Sequence, residues 1–226
     1  MCGRYASSRR PDDLVSYFEV EEPPEEMLPP SWNVAPTDPV YAVVQKPARP
    51  PRAGTVRELR VLRWGLVPSW SKDAKGGARM INARMESVAE KPAFRTAYAK
   101  RRCLVPADGY YEWKLEGTGK QPYYLTSQDR APLAMAGLYE HWKSPEGEWL
   151  STCTVLTTSA PDELGEIHDR TPLLVPREAW ATWLDPTLPD PGNLLIPGTR
   201  GVLDAWPVGK DIGNVRNNGA QLIDPV

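Results

Sequence analysis

The sequence is short of the residues from which metal centres and disulfide frameworks are built. It holds three cysteines, Cys2, Cys103 and Cys153, and two histidines, His141 and His168. Three scattered thiols make neither a disulfide framework nor a zinc-ligand spacing, so no metal and no cofactor is expected. Phenylalanine is nearly missing as well, two residues against nine Trp and nine Tyr. The aromatic content therefore consists almost wholly of rings that carry a polar handle, suited to lining a surface or cleft as well as a core. No glycine-rich phosphate loop and no regular strand–helix alternation is present, which excludes a doubly wound nucleotide-binding fold. There is no apolar run of membrane length, and the opening MCGRYASSRR lacks the apolar core of a secretion signal. A cytoplasmic protein with reduced thiols is expected. No internal repeat and no linker rich in Gly, Ser or Pro divides the 226 residues, so they read as one domain spanning 1–226.

Charge is present in near balance, 27 basic against 29 acidic side chains for a net −2, which by itself argues against a generic nucleic-acid binder. Its distribution says otherwise. Residues 12–26 hold seven acidic and no basic side chains, whereas Lys72 to Arg102 holds nine basic and three acidic. A basic face on a near-neutral protein is compatible with phosphate binding and equally with an ordinary solvated surface.

Local patterns predict a strand over 2–6, then a short helix entered at Pro11 with Leu14, Tyr17 and Phe18 on one face. The acidic, Pro-rich piece 21–30 is loop. Strands follow over 41–44 and 58–67, the latter with Leu59, Val61, Leu66 and Val67 as core candidates, and between them a turn over 47–54. A polar loop over 68–77 holds Trp70, Lys72 and Lys75, and a helix is predicted over 92–100. Strands over 110–115, 121–126, 133–142 and 152–157 are separated by turns containing Gly117, Gly119, Asp129 and Gly147, a pattern of antiparallel hairpins. A helical turn over 162–167, a helix over 176–184 facing Trp180, Trp183 and Leu184 inward, and a strand over 202–208 complete the chain. The sum is an α+β domain with a curved, barrel-like, mostly antiparallel β core and short peripheral helices.

The most informative single residue is Cys2. Removal of Met1 leaves a terminal cysteine, whose amine (reference pKa about 7.7–8.0) and thiol (about 8.5) sit on adjacent carbons. The amine condenses with an aldehyde to an imine, and the thiol adds to the imine carbon and closes a five-membered thiazolidine. The second step is intramolecular and gains from proximity. A buried cysteine without chemistry fits the same position. Glu112, in Tyr110-Tyr111-Glu112-Trp113, faces away from its two aromatic neighbours if the segment is a strand; partial desolvation there raises a carboxyl pKa and suits proton transfer, though a surface acid fits too. His168 lies in a charged, Pro-bearing stretch more like a loop than a core strand, while His141 beside Trp142 is more ordinary. Asn82 and Arg84, two residues apart, pair a planar amide with a guanidinium, groups able to hold a carbonyl and a phosphate respectively.

These residues lie within a recognisable series of blocks. Met1-Cys2-Gly3-Arg4-Tyr5 is followed by Trp32-Asn33-Val34-Ala35-Pro36 and by Trp64-Gly65-Leu66-Val67-Pro68 with Trp70. Next come Asn82-Ala83-Arg84-Met85-Glu86, the run Arg102 to Trp113, and His168-Asp169-Arg170-Thr171-Pro172. In this order and over most of the chain they resemble the SOS-response-associated peptidase (SRAP) family of abasic-site processing proteins. The resemblance implies a curved β core with peripheral helices, and binding of single-stranded DNA that carries an abasic site. It implies that Cys2, freed of Met1, attacks the ring-opened deoxyribose aldehyde and that Asn82 orients the terminal residue and sugar. Glu112 would be the acid/base, and His168 would assist proton transfer and β-elimination or adduct reversal. Thr171 departs from the methionine common in the family, a change of packing rather than of chemistry. An abasic nucleotide offers no base to read, so phosphate contacts and stacking are expected to carry recognition. Arg4, Lys72, Lys75, Arg79 and Arg84 are the candidates for the backbone, and Trp32, Trp70 and Trp113 for shaping the site. No membrane and no obligate protein partner is implied, and a monomer, associated with the nucleoid when on DNA, is expected. Two rivals remain: a Cys/His/Glu peptidase using the Cys2 thiol as acyl nucleophile, and a non-catalytic module that binds single-stranded DNA reversibly.

Overall fold

A computed structural model describes residues 2–50, 53–188, 190–199 and 201–226. In chain order its principal elements begin with β1 (Tyr5–Ser7), α1 (Pro11–Tyr17), β2 (Ser31–Val34), β3 (Pro39–Pro47), β4 (Thr55–Trp64) and β5 (Asn82–Arg84). Then follow α2 (Arg95–Lys100), β6 (Arg102–Ala107), β7 (Gly109–Glu116), β8 (Gly119–Ser127), β9 (Leu133–Lys143) and β10 (Trp149–Ser159). The chain continues through β11 (Arg170–Leu174), α3 (Trp180–Leu184), β12 (Ile196–Pro197) and β13 (Leu203–Pro207), with single 3-10 turns between them.

Five of these strands close on themselves. β3 pairs antiparallel with β4 and with β6, β6 with β9, and β9 with β10, and the ring is completed by a parallel contact of β10 with β4. Each antiparallel contact reverses strand direction, so a closed ring with an odd number of strands must contain a parallel contact. The hairpin reading of the strands from 110 to 157 holds for β7–β8 and β9–β10. It does not hold for β8–β9, which join different sheets although only the turn at Asp129 separates them; β3 and β4 form a further hairpin. Alternation along the barrel strands separates inside from outside. Val40, Ala42, Val44, Leu62, Trp64, Cys103, Val105, Met135, Cys153 and Val155 form the interior cluster. The intervening Tyr41, Val43, Leu59, Leu104, Ala136, Leu138 and Leu156 lie in a second cluster with Leu14 and Phe18 of the first helical segment, Ala97 and Tyr98 of α2, and Trp180, Trp183 and Leu184 of α3. The bore is narrow: a Cβ on Gly137 would lie 2.8 Å from the Cys103 sulfur.

A second sheet, in the order β13-β8-β7-β1-β2, caps one end of the barrel. Tyr5, Tyr110, Leu125 and Leu203 from this sheet join the barrel interior, and Tyr5 meets Trp64 edge-on with centroids 5.1 Å apart. The sheet's other face, Ala6, Tyr111 and Tyr124, is covered by Val208, Ile212 and Leu222 of the C-terminal turns.

Several boundaries differ from the sequence reading. The predicted strand over 58–67 begins at Thr55 and ends at Trp64, and Val61 is only partly buried. Leu66 and Val67 are buried beyond its end because Gly65, at φ +125°, turns the chain sharply. The backbone of Gly77 crosses that turn, and a Cβ on Gly65 would lie 2.5 Å from its carbonyl oxygen, so both positions exclude a side chain. The helix predicted over 92–100 starts at Arg95. The 47–54 turn is the tip of a longer β3–β4 hairpin, in which Lys46 pairs with Val56 and Pro47 with Thr55; Pro51 and Arg52 lie outside the described residues. The helix over 176–184 is a 3-10 turn (Arg177–Ala179) running into α3.

Candidate functional site

Cys2 is fully buried at the capped end of the barrel. Burial pushes its thiol far above the ordinary range, the charge of Glu112 adds to the effect, and the backbone N–H of Arg4 opposes it. The thiol is therefore held protonated. The Asn82 side-chain N–H donates to the Cys2 carbonyl at 2.7 Å. Asn82 comes to this place because β5 adds to the edge of β10 in parallel, with Asn82 opposite Val155 of the barrel wall. Its other amide atom, Oδ1, is buried without a hydrogen-bond partner among the described residues, an acceptor with spare capacity beside the Cys2 backbone.

Glu112 lies on β7 between Tyr111 and Trp113. The strand turns those two aromatics to the far face of the sheet, where they join the C-terminal cluster, and turns the carboxylate inward. It is 3% exposed. Desolvation pushes its carboxyl up to about 7, and the charge of Asp169 adds to the rise. His168 follows a 3-10 turn (Glu163–Glu166) whose first turn is capped by Asp162 accepting from the Leu164 N–H. Its Nε2 stands 3.9 Å from Glu112 Oε2. The Arg170 backbone N–H donates to Nδ1 at 3.0 Å, which leaves the ring proton on Nε2, facing the carboxylate. Asp169 Oδ1 lies 2.9 Å from the same Nδ1 and becomes the counter-ion when the ring takes a second proton. Desolvation lowers the His168 pKa, opposed by Asp169.

The structure thus gathers Cys2, Asn82, Glu112 and His168 around one end of the barrel. A narrow cleft there is lined by Glu112, His168, Tyr110, Thr171 and Arg170 among others. Thr171 is buried; its hydroxyl donates to the Gly198 carbonyl at 3.1 Å and lies 3.3 Å from the Tyr110 hydroxyl. Tyr110 and Arg170 do not stand out in the sequence, although both adjoin residues that do. Such an arrangement can move protons at a buried carbonyl carbon next to a thiol. No cluster of His, Cys, Asp and Glu suited to a metal ion occurs among the described residues.

The residues expected to touch DNA fall into two groups. Trp70, 66% exposed, and the exposed Lys72, Lys75, Arg79 and Arg84 lie on the segment leading from β4 into and through β5. Its tip is tethered by the Trp142 indole N–H donating to the Ser71 carbonyl at 2.7 Å. Trp32 and Trp113 are half-buried on the other face of the capping sheet, where the Tyr111 hydroxyl donates to the Trp32 carbonyl at 2.7 Å. Arg4 is tied into the same region, one guanidinium nitrogen donating to Asn33 Oδ1 at 2.6 Å and to the Ile212 carbonyl at 2.9 Å.

The family model described as SOS response associated peptidase matches residues 1–215. The chain belongs to the SRAP family. It is 38% identical over 229 aligned positions to the abasic site processing protein YoaM of Bacillus subtilis, covering 99% of this chain and 98% of that protein. It is 31% identical to the abasic site processing protein YedK of Escherichia coli, over the whole of both chains. A crystal structure of a protein from Bacteroides thetaiotaomicron superposes with a TM-score of 0.85 at 25% identity, again over the full length of both. The SRAP fold is accordingly an α+β fold whose sheet core is mainly antiparallel with short helices outside. No helix among the described residues is long and apolar enough to cross a membrane.

Proposed function

We propose that this SRAP protein captures abasic sites in single-stranded DNA as a thiazolidine on Cys2 once Met1 has been removed. The observation that carries the reading is the buried Glu112 carboxyl, pushed up to about 7, set against His168 and within electrostatic reach of the Cys2 thiol. A group of that pKa gives and takes protons with equal ease near neutrality, which stepwise imine chemistry requires. The names of the relatives support the substrate class.

Because the thiol is held protonated, the terminal amine reacts first. It adds to the ring-opened sugar aldehyde, and the hydroxyl of the resulting carbinolamine leaves as water with a proton from neutral Glu112. That loss leaves an iminium ion, which keeps its N–H, and an ionised Glu112. Sulfur then adds to the iminium carbon, the C=N electron pair returns to nitrogen, and the S–H proton passes to the carboxylate, so the neutral thiazolidine closes and neutral Glu112 is restored. Asn82 holds the Cys2 carbonyl throughout, which fixes the amine and thiol relative to the carboxyl. His168 backs Glu112 as a second proton carrier and is placed to assist reversal or β-elimination.

The test is to incubate Met1-free protein with an oligonucleotide bearing one abasic site and denature the mixture. A shifted band without borohydride, lost with Cys2→Ala and lost when the terminal amine alone is blocked, is the expected result. An equal band from Cys2→Ala, or none from the wild type, overturns the reading. Survival of peptide hydrolysis with the amine blocked would favour a peptidase instead.

The basic segment is proposed as the phosphate track. Replacing Lys75 and Arg84 by Ala should weaken binding of undamaged single-stranded DNA. The slope of log affinity against log salt should fall by about 0.7 for each lost contact. An unchanged slope in a salt titration would remove both residues from the track.

A further inference from the structure

The two halves of the site are joined by an ion pair that the chemistry above does not use. Asn82 opens β5, and Glu86 lies four residues further on, in the 3-10 turn Met85–Ser87. His168 stands two residues before Arg170, the first residue of β11. Between β5 and β11 runs the end of β10, with Thr157 opposite Arg84 on one side and Pro172 on the other. The Arg170 guanidinium spans this strand. Nη1 donates to Glu86 Oε1 at 2.7 Å and Nη2 to Oε2 at 3.0 Å, a bidentate pair, while Nη2 also donates to the Thr157 carbonyl at 2.6 Å. The Thr158 hydroxyl adds a bond to Glu86 at 3.1 Å. The Arg170 side chain is only 10% exposed, so the pair is shielded on one side and geometrically fixed, unlike an ordinary surface ion pair. Hydrogen bonding from Arg170 holds the Glu86 carboxyl down at about 2.

The same Arg170 supplies the backbone N–H that occupies His168 Nδ1. That N–H and the guanidinium belong to one residue, which β11 also pairs with Ser159 of β10. The anchor at Glu86 therefore acts together with the sheet on where the N–H points and on which ring nitrogen keeps the proton. Among the described residues, the charged groups facing the imidazole are Glu112 from β7, Lys120 from β8, and Asp169 from its own segment.

We propose that Glu86 and Arg170 are positioning residues: their ion pair locks the His168 segment to the Asn82 strand, so that His168 presents Nε2–H to Glu112. The proposal rests on the functional reading above. Loss of Glu86 frees the Arg170 side chain, loosens the N–H on Nδ1 and lets the ring exchange tautomers. The cost should fall on proton transfer rather than on DNA binding.

The experiment compares wild type, Glu86→Ala, Glu86→Gln and Glu86→Asp, each freed of Met1. Two quantities are read: the tautomer of His168 by nitrogen-15 NMR, and the rate of band formation with an abasic oligonucleotide from pH 5 to 9. Expected are an Nε2–H ring in the wild type and a mixed ring in Glu86→Ala. Capture should slow by about tenfold to a hundredfold with an altered pH profile, and Glu86→Asp should recover part of both. Affinity for undamaged single-stranded DNA should stay within about twofold of wild type. A folded Glu86→Ala protein that keeps the wild-type tautomer and pH profile, losing only melting temperature, overturns the proposal. If the wild type forms no adduct, it is the functional reading that has failed, and the tautomer measurement alone then decides for or against the ion-pair lock.

Discussion

Glu112→Gln should lose capture activity by about a hundredfold or more and at the same time make the protein more stable in alkaline solution. Glutamine keeps the shape of the side chain but can neither give nor take a proton, so each proton step is left to water or to His168. The stability effect has the opposite sign. The Glu112 carboxyl goes from an ordinary value of 4.5 to about 7 on folding, chiefly through desolvation. Between those two values the folded chain holds a proton that the unfolded chain has released. Folding is therefore favoured most below pH 4.5 and loses ground as pH rises through 7, where the wild type must keep an ionised carboxylate in a buried place. A shift of this size corresponds to roughly 3 kcal/mol across the window. The amide escapes that loss. Thermal melts at pH 5 and pH 8.5 should show the gap between the Glu112→Gln protein and wild type widening in favour of the variant at the higher pH. A gap that does not change with pH would mean that the carboxyl titrates normally.

That trade between chemistry and stability rests on the geometry of one strand, and strands differ in how openly they are written. β7 and β8 alternate and meet at Gly117, so the hairpin and the inward side of Glu112 can be read from period and turn residues alone. The start of α1 is equally plain from Pro11. β6 is hidden: all six of its residues, Arg102 to Ala107, are buried, so it has no polar face to alternate with, and Pro106 argues against a strand. β5 has three residues and β2 four, too few to show any period. Barrel closure is only suggested by the sequence, because it depends on β6 meeting β9 and β10 meeting β4, pairings between distant segments that no local pattern encodes. The site shows the same division. Cys2 and Asn82 are 80 positions apart and Glu86 and Arg170 are 84 apart. Their chemistry is legible one residue at a time, but the meeting of Cys2 and Asn82 follows from family blocks and not from spacing. The Glu86–Arg170 pair is invisible in the sequence, since two charged residues inside motifs look like any solvated pair until a strand end is found between them.

Arg102→Ala should be the most destabilising single substitution outside the barrel interior, by about 4 kcal/mol or more. Arg102 is 3% exposed and opens β6 where two helices end. Nη1 donates to the carbonyls of Tyr98 and Ala99 at 2.7 and 3.1 Å, both in the last turn of α2. Nε donates to the Trp183 carbonyl at 2.7 Å, and Nη2 to the carbonyls of Asp185 and, at 2.9 Å, Leu188. One guanidinium thus satisfies carbonyls left open at the C-terminal ends of α2 and α3 and sets a positive charge where both helix dipoles are negative. It also lies over the Trp183 ring, 5.6 Å from its centroid. Alanine strands several buried acceptors, each costing about 1–3 kcal/mol, and opens a cavity against Trp183. Lysine keeps the charge but not the fork, so Arg102→Lys should recover less than half of the loss. Against a total stability of about 5–15 kcal/mol for a domain of ordinary size, the alanine variant should unfold at much lower urea concentration with the same dependence on denaturant. The Cys2 site lies at the capped end of the barrel, whereas Arg102 works on the outer wall beneath α2 and α3. Whatever Arg102→Ala protein remains folded should therefore capture abasic DNA at the wild-type rate per active molecule, and a specific loss of capture beyond the folded fraction would show that the two ends of the barrel are coupled.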